Sequence, residues 1–198
     1  MFFEKISTPL IVVLSVLVAA LTLRFFVADI DLVFKNLTHQ TQDARVEFLL
    51  HIFASSLALA VGAFQMIQSL RHRYIGLHRW MGRIYAVAVA IGGLAGLNIA
   101  FNIEGGLATV GFAMLAIFWL IATGQAVLLA RARKIAQHRR WMICSFALTF
   151  AAVTLRLQLL VFHFGFSMPY SEVYTFLAWS CWVPNILFAL WYIRRAPS

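Results

Sequence analysis

The sequence predicts an all-α integral membrane protein with six transmembrane helices, in which helices two to five form a pseudo-twofold four-helix core. Three observations lead there. About 63% of the 198 residues are hydrophobic, only 12% are charged, and the mean hydropathy is +0.87, whereas soluble domains carry roughly 45–50% apolar and 25% charged residues. The apolar residues fall into six runs, each close to the ~20 residues a spanning helix needs. A shift of 60 residues also superposes one part of the chain on another, as set out below. The whole chain reads as a single transmembrane domain, residues 1–198, too short to add a soluble head.

The runs cover about 8–27, 48–70, 79–101, 107–130, 141–163 and 172–193. The first is too long for the h-region of a secretory signal and no small-residue cleavage site follows it, so it is expected as a retained span. The connection from Ala28 to Glu47 is the one long loop, and the short others imply consecutive antiparallel neighbours. Trp141, Tyr170, Trp191 and Tyr192 sit near run ends, as aromatic belts do. Pro184 inside the sixth run predicts a kink.

Charge sets the orientation. With a cytoplasmic N-terminus, the inner segments hold Lys5, Arg71, Arg73, Arg79, Arg83, Arg131, Arg133, Lys134, Arg139, Arg140, Arg194 and Arg195, twelve of the 16 Lys and Arg residues. The outer loops hold Lys35 and Arg45 with Asp29, Asp31, Asp43, Glu47, Glu104 and Glu172. The positive-inside rule then puts both termini in the cytoplasm, and the expected location is a bacterial inner membrane. The net charge of +9 lies in these short loops, which argues for topology and against nucleic acid. Cys144 and Cys181 both fall inside apolar runs, so no disulfide framework is expected. The absence of C-x-x-C-H excludes covalent c-type haem attachment.

The 60-residue shift aligns Gln65 with Gln125, Arg71 with Arg131, Arg73 with Arg133, Ile75 with Ile135, His78 with His138 and Arg79 with Arg139. Two basic loops explain the arginines but not the glutamine and histidine. The expected repeat covers about 48–101 and 107–163, each copy a helix, a basic loop and a helix. Both copies run the same way, so their axis lies along the membrane normal. His78 and His138 then face each other across it.

Four histidines fall at two depths. His78 and His138 begin spans three and five. At ~1.5 Å rise per residue, His51 lies about 28 Å and His163 about 33 Å above the cytoplasmic ends of their spans. An inner and an outer pair result, and bundles build cofactor sites from facing helices in this way. Bis-imidazole ligation would hold one or two haem b groups without covalent attachment. Headgroup-level cations and an interfacial histidine are the simpler alternative. In span two, His51, Ser55, Ala58, Gly62 and Gln65 share one small, polar stripe, as helix packing or a buried site requires. Tyr85, Gly92, Gly93 and Gly96 continue the theme in span three, where close packing or room for a flat ring would account for the glycines. Arg156 stands well inside span five, where a charge costs at least about 2.5 kcal/mol. Asn98, Asn102, a haem propionate or a quinone carbonyl are its candidate partners, with backbone carbonyls, Glu104 or Glu172 as the purely structural alternative.

The segment LHRWMGRIY, Leu77 to Tyr85, contains H-R-x-x-G at a helix start and resembles the membrane cytochrome b subunits of succinate dehydrogenase. HRWMGRIY at 78–85, HRRWMICSFALT at 138–149, Arg156 and their surrounding apolar runs resemble a bacterial membrane-protein family, domain of unknown function 2306, over about residues 48–165. That resemblance implies a multi-span bacterial membrane protein with histidines in the bundle, and it implies no reaction.

The residues point first to a haem b electron-transfer protein, with quinol as a candidate partner and ligand. His78, His138, His51 and His163 would hold iron, Arg79 and Arg139 would neutralise propionates, and Gln65, Gln125 and Arg156 would complete the sites. The alternative is a non-enzymatic subunit of a respiratory or photosynthetic membrane complex, or a homo-oligomer, contacting lipid through its basic loops. An ion-coupled transporter is disfavoured by the lack of intramembrane carboxylates. A zinc hydrolase is disfavoured by histidines split between two depths.

Overall fold

A computed structural model describes residues 2–26, 44–102 and 106–195. The charged loop residues Asp29, Asp31, Lys35, Asp43 and Glu104 lie outside the described residues, as do the side chains of Glu4, Lys5, Tyr170 and Glu172. Among the described residues all regular structure is helical. Six segments are long and apolar enough to cross a membrane: Thr8–Phe26, Arg45–Gln65, Ile75–Phe101, Gly106–Arg131, Ile135–His163 and Val173–Arg195, termed spans one to six.

Spans two, three, four and five pack in sequence, and span two also meets the first half of span five, which closes a four-helix core. Span one covers span two and reaches the middle of span five, while span six packs on spans four and five. The core is built from small residues. Ala58, Ala63, Ala126 and Ser145 are completely buried, and Tyr85, Leu59 and Val89 fill the space between them. Large apolar groups point outward instead, as Leu10, Val13, Leu17 and Leu21 do along one stripe of span one. Lipid solvates them, so helix contact is left to small residues that let backbones approach.

Spans three and five begin at Ile75 and Ile135, earlier than hydropathy indicates, and their starts keep the 60-residue offset. The basic first turns remain helical because Arg is a good helix former whether or not it lies in lipid. The His78 amide bonds the Tyr74 carbonyl at 3.0 Å, and the His138 amide bonds Lys134 at 2.9 Å. Span two stops at Gln65 rather than near residue 70, where Ile67 turns extended and a short helix, Gln68–Arg73, carries the basic loop. Between spans four and five the chain reverses at Arg133, whose φ of 59° is left-handed. The Lys134 amide there bonds the Leu129 carbonyl at 2.9 Å, closing a helix C-terminus that glycine usually occupies.

Two spans are interrupted. Span five breaks at Phe150. Thr149 Oγ1 just before the break donates to the Ser145 carbonyl at 3.0 Å, a back-bond that bends helices. The span ends in a π-helical turn, Leu160–Gly165. Span six breaks at Cys181–Trp182 and resumes at Val183, so the kink expected from Pro184 is a full interruption. Proline has no N–H for the Ser180 carbonyl four residues back. Gln158 Nε2 of span five donates to that carbonyl at 3.2 Å, and Ser180 Oγ returns a bond to Gln158 Oε1 at 3.0 Å. A neighbouring helix thus satisfies the freed group, as the bilayer demands.

Candidate functional site

The stripe read from span two is its interface with span three. His51 Nδ1 meets the Gly92 carbonyl at 2.7 Å, and the ring covers Gly96, where an added Cβ would fall 2.7 Å from Nδ1. Ser55 Oγ lies 3.0 Å from the Cβ position of Gly92. Gly62 admits the Tyr85 ring, and Gln65 Nε2 donates to the His78 carbonyl at 2.9 Å. Gly93 is filled in turn by Leu120 of span four. Gly92, Gly93 and Gly96 therefore serve close packing, and side chains occupy the room a flat ring would need.

Polar groups fill the centre, and of these sequence reading singled out Tyr85 but missed Trp119, Thr123, Ser145 and Thr149. Tyr85 Oη lies 2.7 Å from both Ser145 Oγ and Thr149 Oγ1. Trp119 Nε1 donates to Thr149 Oγ1 at 2.8 Å, and Thr123 Oγ1 meets Ser145 Oγ at 2.6 Å. This network ties spans three, four and five together. Tyr85 and Ser145 stand at the repeat offset, which is the signal that could have exposed the pair.

At the basic end, His78 and His138 are half-buried, each one turn into its span. His138 Nδ1 lies 2.8 Å from the Ala126 carbonyl of span four, so the proton is on Nδ1 and the Nε2 lone pair is directed elsewhere. His78 Nδ1 is buried without a partner, and so is Gln65 Oε1. The charges of Arg71, His138 and Arg79 all reach His78. Burial first, and the Arg139 charge second, push the Arg71 guanidinium below its usual pKa. The two copies therefore meet through their cations at this end. Arg79 and Arg139 are exposed around it. Gln125 is also exposed and does not repeat the role of Gln65.

The far end differs from the expectation. Because span two ends at Gln65, His51 lies only about 21 Å from its basic end, against about 33 Å for His163 above Trp141. The outer histidines are not level. His51 turns toward span three, whereas His163 is exposed on the π turn with Nδ1 2.9 Å from the Met168 carbonyl. Arg156 is the residue level with His51, about 22 Å above Trp141. Its Nη1 donates to the Ala152 carbonyl at 2.9 Å, so the backbone carbonyl is the partner found among those expected. Asn98 and Asn102 instead bond each other.

Among the described residues, no three His, Cys, Asp or Glu side chains converge as a metal site. Two-histidine ligation is the metal chemistry left to consider. His78 and His138 fit a bis-imidazole group: one ring has its tautomer fixed by a carbonyl, the other has an orphaned buried nitrogen, and arginines stand ready for carboxylates. His51 and His163 do not fit one, since they lie at different depths and each ring turns to a different carbonyl.

Residues 48–193 match the family model of a predicted membrane protein, DUF2306. No curated protein and no solved structure matches the chain. The match covers most of the chain and takes in both paired H-R motifs, the four-helix core and span six, and the protein belongs to the DUF2306 family of predicted membrane proteins.

Proposed function

We propose that this protein is a membrane-embedded electron-transfer protein that holds one haem b between His78 and His138. The observation that carries the reading is that both histidines stand at the basic end within electrostatic reach of one another, with His138 locked by the Ala126 carbonyl and His78 Nδ1 left without a partner. Haem held in this way supplies one-electron transfer without an open iron position. The protein's own part is to hold and tune. The carbonyl bond fixes the tautomer and orientation of the His138 ring. Arg79, Arg139 and Arg71 would offset the charge of the haem propionates. The Tyr85 network above them packs the core closed against water.

The electron donor class we favour is a quinol. An apolar groove of about 380 Å³ between spans three and four, lined by Ala86, Val89, Ala90, Leu120, Thr123 and Gly124, opens toward lipid beside this end. We also place the basic end in the cytoplasm of a bacterium, because it gathers Arg71, Arg73, Arg131, Arg133, Arg139 and Arg140.

The test is the haem content of protein purified from haem-replete cells. About one non-covalent haem per chain is expected. Folded protein without haem that co-purifies with a large assembly would favour the accessory-subunit reading instead.

A further inference from the structure

A second group of basic side chains lies away from the histidine pair. Arg24 ends span one, His51 faces span three from span two, and Arg156 stands on span five. By helix rise Arg24 lies about 24 Å above Thr8, His51 about 21 Å above Gln65 and Arg156 about 22 Å above Trp141. The Arg24 charge reaches Arg156, and the Arg156 charge reaches His51. Three elements thus bring two arginines and a histidine to one depth inside the bilayer.

Their partners do not balance them. Arg156 has five donors, and among the described residues one is used, on the Ala152 carbonyl of its own helix. Arg24 lies over the Phe25 ring at 5.1 Å. Among the described residues neither arginine has a carboxylate partner. Arg24 is exposed, and Arg156 is largely buried but keeps part of its side chain open. A cation at this depth is expensive and is usually paired. A planar, forked guanidinium pairs best with a carboxylate or a phosphate.

Apolar surface adjoins the charge. Two residues beyond Arg24, Phe26 begins a groove of about 270 Å³ lined also by Val46, Leu49, Leu50 and Phe53. Charge and groove together match an amphiphile with one phosphate and an acyl chain.

We propose that Arg156 and Arg24, with His51 beside them, bind the phosphodiester of an anionic phospholipid, whose chain lies in the Phe26–Phe53 groove. The inference does not depend on the haem reading. Arg156 holds the phosphate while its Nη1 stays on the Ala152 carbonyl. Arg24 closes the site from span one, so the lipid clamps span one to the core.

The full-length protein is reconstituted in nanodiscs of phosphatidylcholine alone, or with phosphatidylglycerol added. Phosphatidylglycerol is expected to raise the melting temperature by about 5 °C. In Arg156→Gln the rise is lost, while stability in phosphatidylcholine alone equals or exceeds wild type because an unpaired buried charge is gone. Arg156→Lys keeps part of the rise. Arg83→Gln, a basic-end control, keeps all of it. An equal rise in wild type and Arg156→Gln would overturn the proposal, as would an equal rise from inorganic phosphate without phosphatidylglycerol. A loss of stability in Asp29→Asn, Asp31→Asn, Asp43→Asn, Glu104→Gln or Glu172→Gln, with no response to phosphatidylglycerol, would assign the arginine to a protein carboxylate and also overturn it.

Discussion

At the residue scale, Tyr85 shows how a polar group is tolerated in a membrane core. It is 1% exposed, yet its hydroxyl meets two others. Interhelical bonds of this kind contribute about 0.6 kcal/mol on average and up to ~1.7. Tyr85→Phe keeps the ring against Gly62 and removes only the hydroxyl, so a loss of about 1 kcal/mol is expected in reversible denaturation from detergent. An unchanged stability would mean that Ser145 and Thr149 satisfy each other without it. The sequence made the single polar residues of span two legible, because His51, Ser55 and Gln65 break an apolar pattern at helical spacing. The partners were not legible. Nothing in Gly92 or Gly96 distinguishes a glycine that admits a side chain from one that leaves room for a cofactor, since the filling group comes from another helix. Arg156 was legible as an intramembrane charge, but its bond to Ala152 depends on a rotamer that spacing does not determine.

At the scale of the element, all six spans were readable from apolar length, and their ends were not. Helices do not stop where lipid stops, so spans three and five begin in their basic first turns. The short helix Gln68–Arg73 carries no apolar signal and was read as part of span two. Pro184 announced the interruption of span six because the loss of an N–H follows from the residue alone. Its compensation by Gln158 requires knowing which helix lies opposite. That compensation gives a double-mutant cycle. Gln158→Leu strands the Ser180 carbonyl and should cost about 1–2 kcal/mol. Pro184→Ala supplies the missing N–H, so in that background Gln158→Leu should cost clearly less. Equal costs in the two backgrounds would show that Gln158 acts through Ser180 Oγ alone. The break at Phe150 had no comparable signal, because Thr149 is one threonine among many.

For the whole molecule, the 60-residue offset connects sequence and architecture. It recurs in the starts of spans three and five and in the Tyr85–Ser145 pair, and it brings His78 toward His138. It fails for Gln125, which is exposed, and for the flanking spans, which both lean on span five. Depth estimates from apolar runs misled most at the far end, where an error in the end of span two placed His51 level with His163. Orientation follows from the same basic loops. Reporters fused after Gly76, after Ala136 and at Ser198 should read as cytoplasmic, and those near Gln40 and Gly105 as external. A cytoplasmic signal at Gln40 would reverse the assignment.

The haem reading rests on the inner histidine pair, and the reduced-minus-oxidised absorption spectrum of the purified protein, His78→Ala, His138→Ala and the double variant tests it most directly. Wild type should show Soret and α bands, each single variant should lose them, and the double variant should lose little more, because two ligands of one iron act as a unit. Bands that survive in both single variants, or folded wild-type protein without them, would contradict haem ligation by His78 and His138.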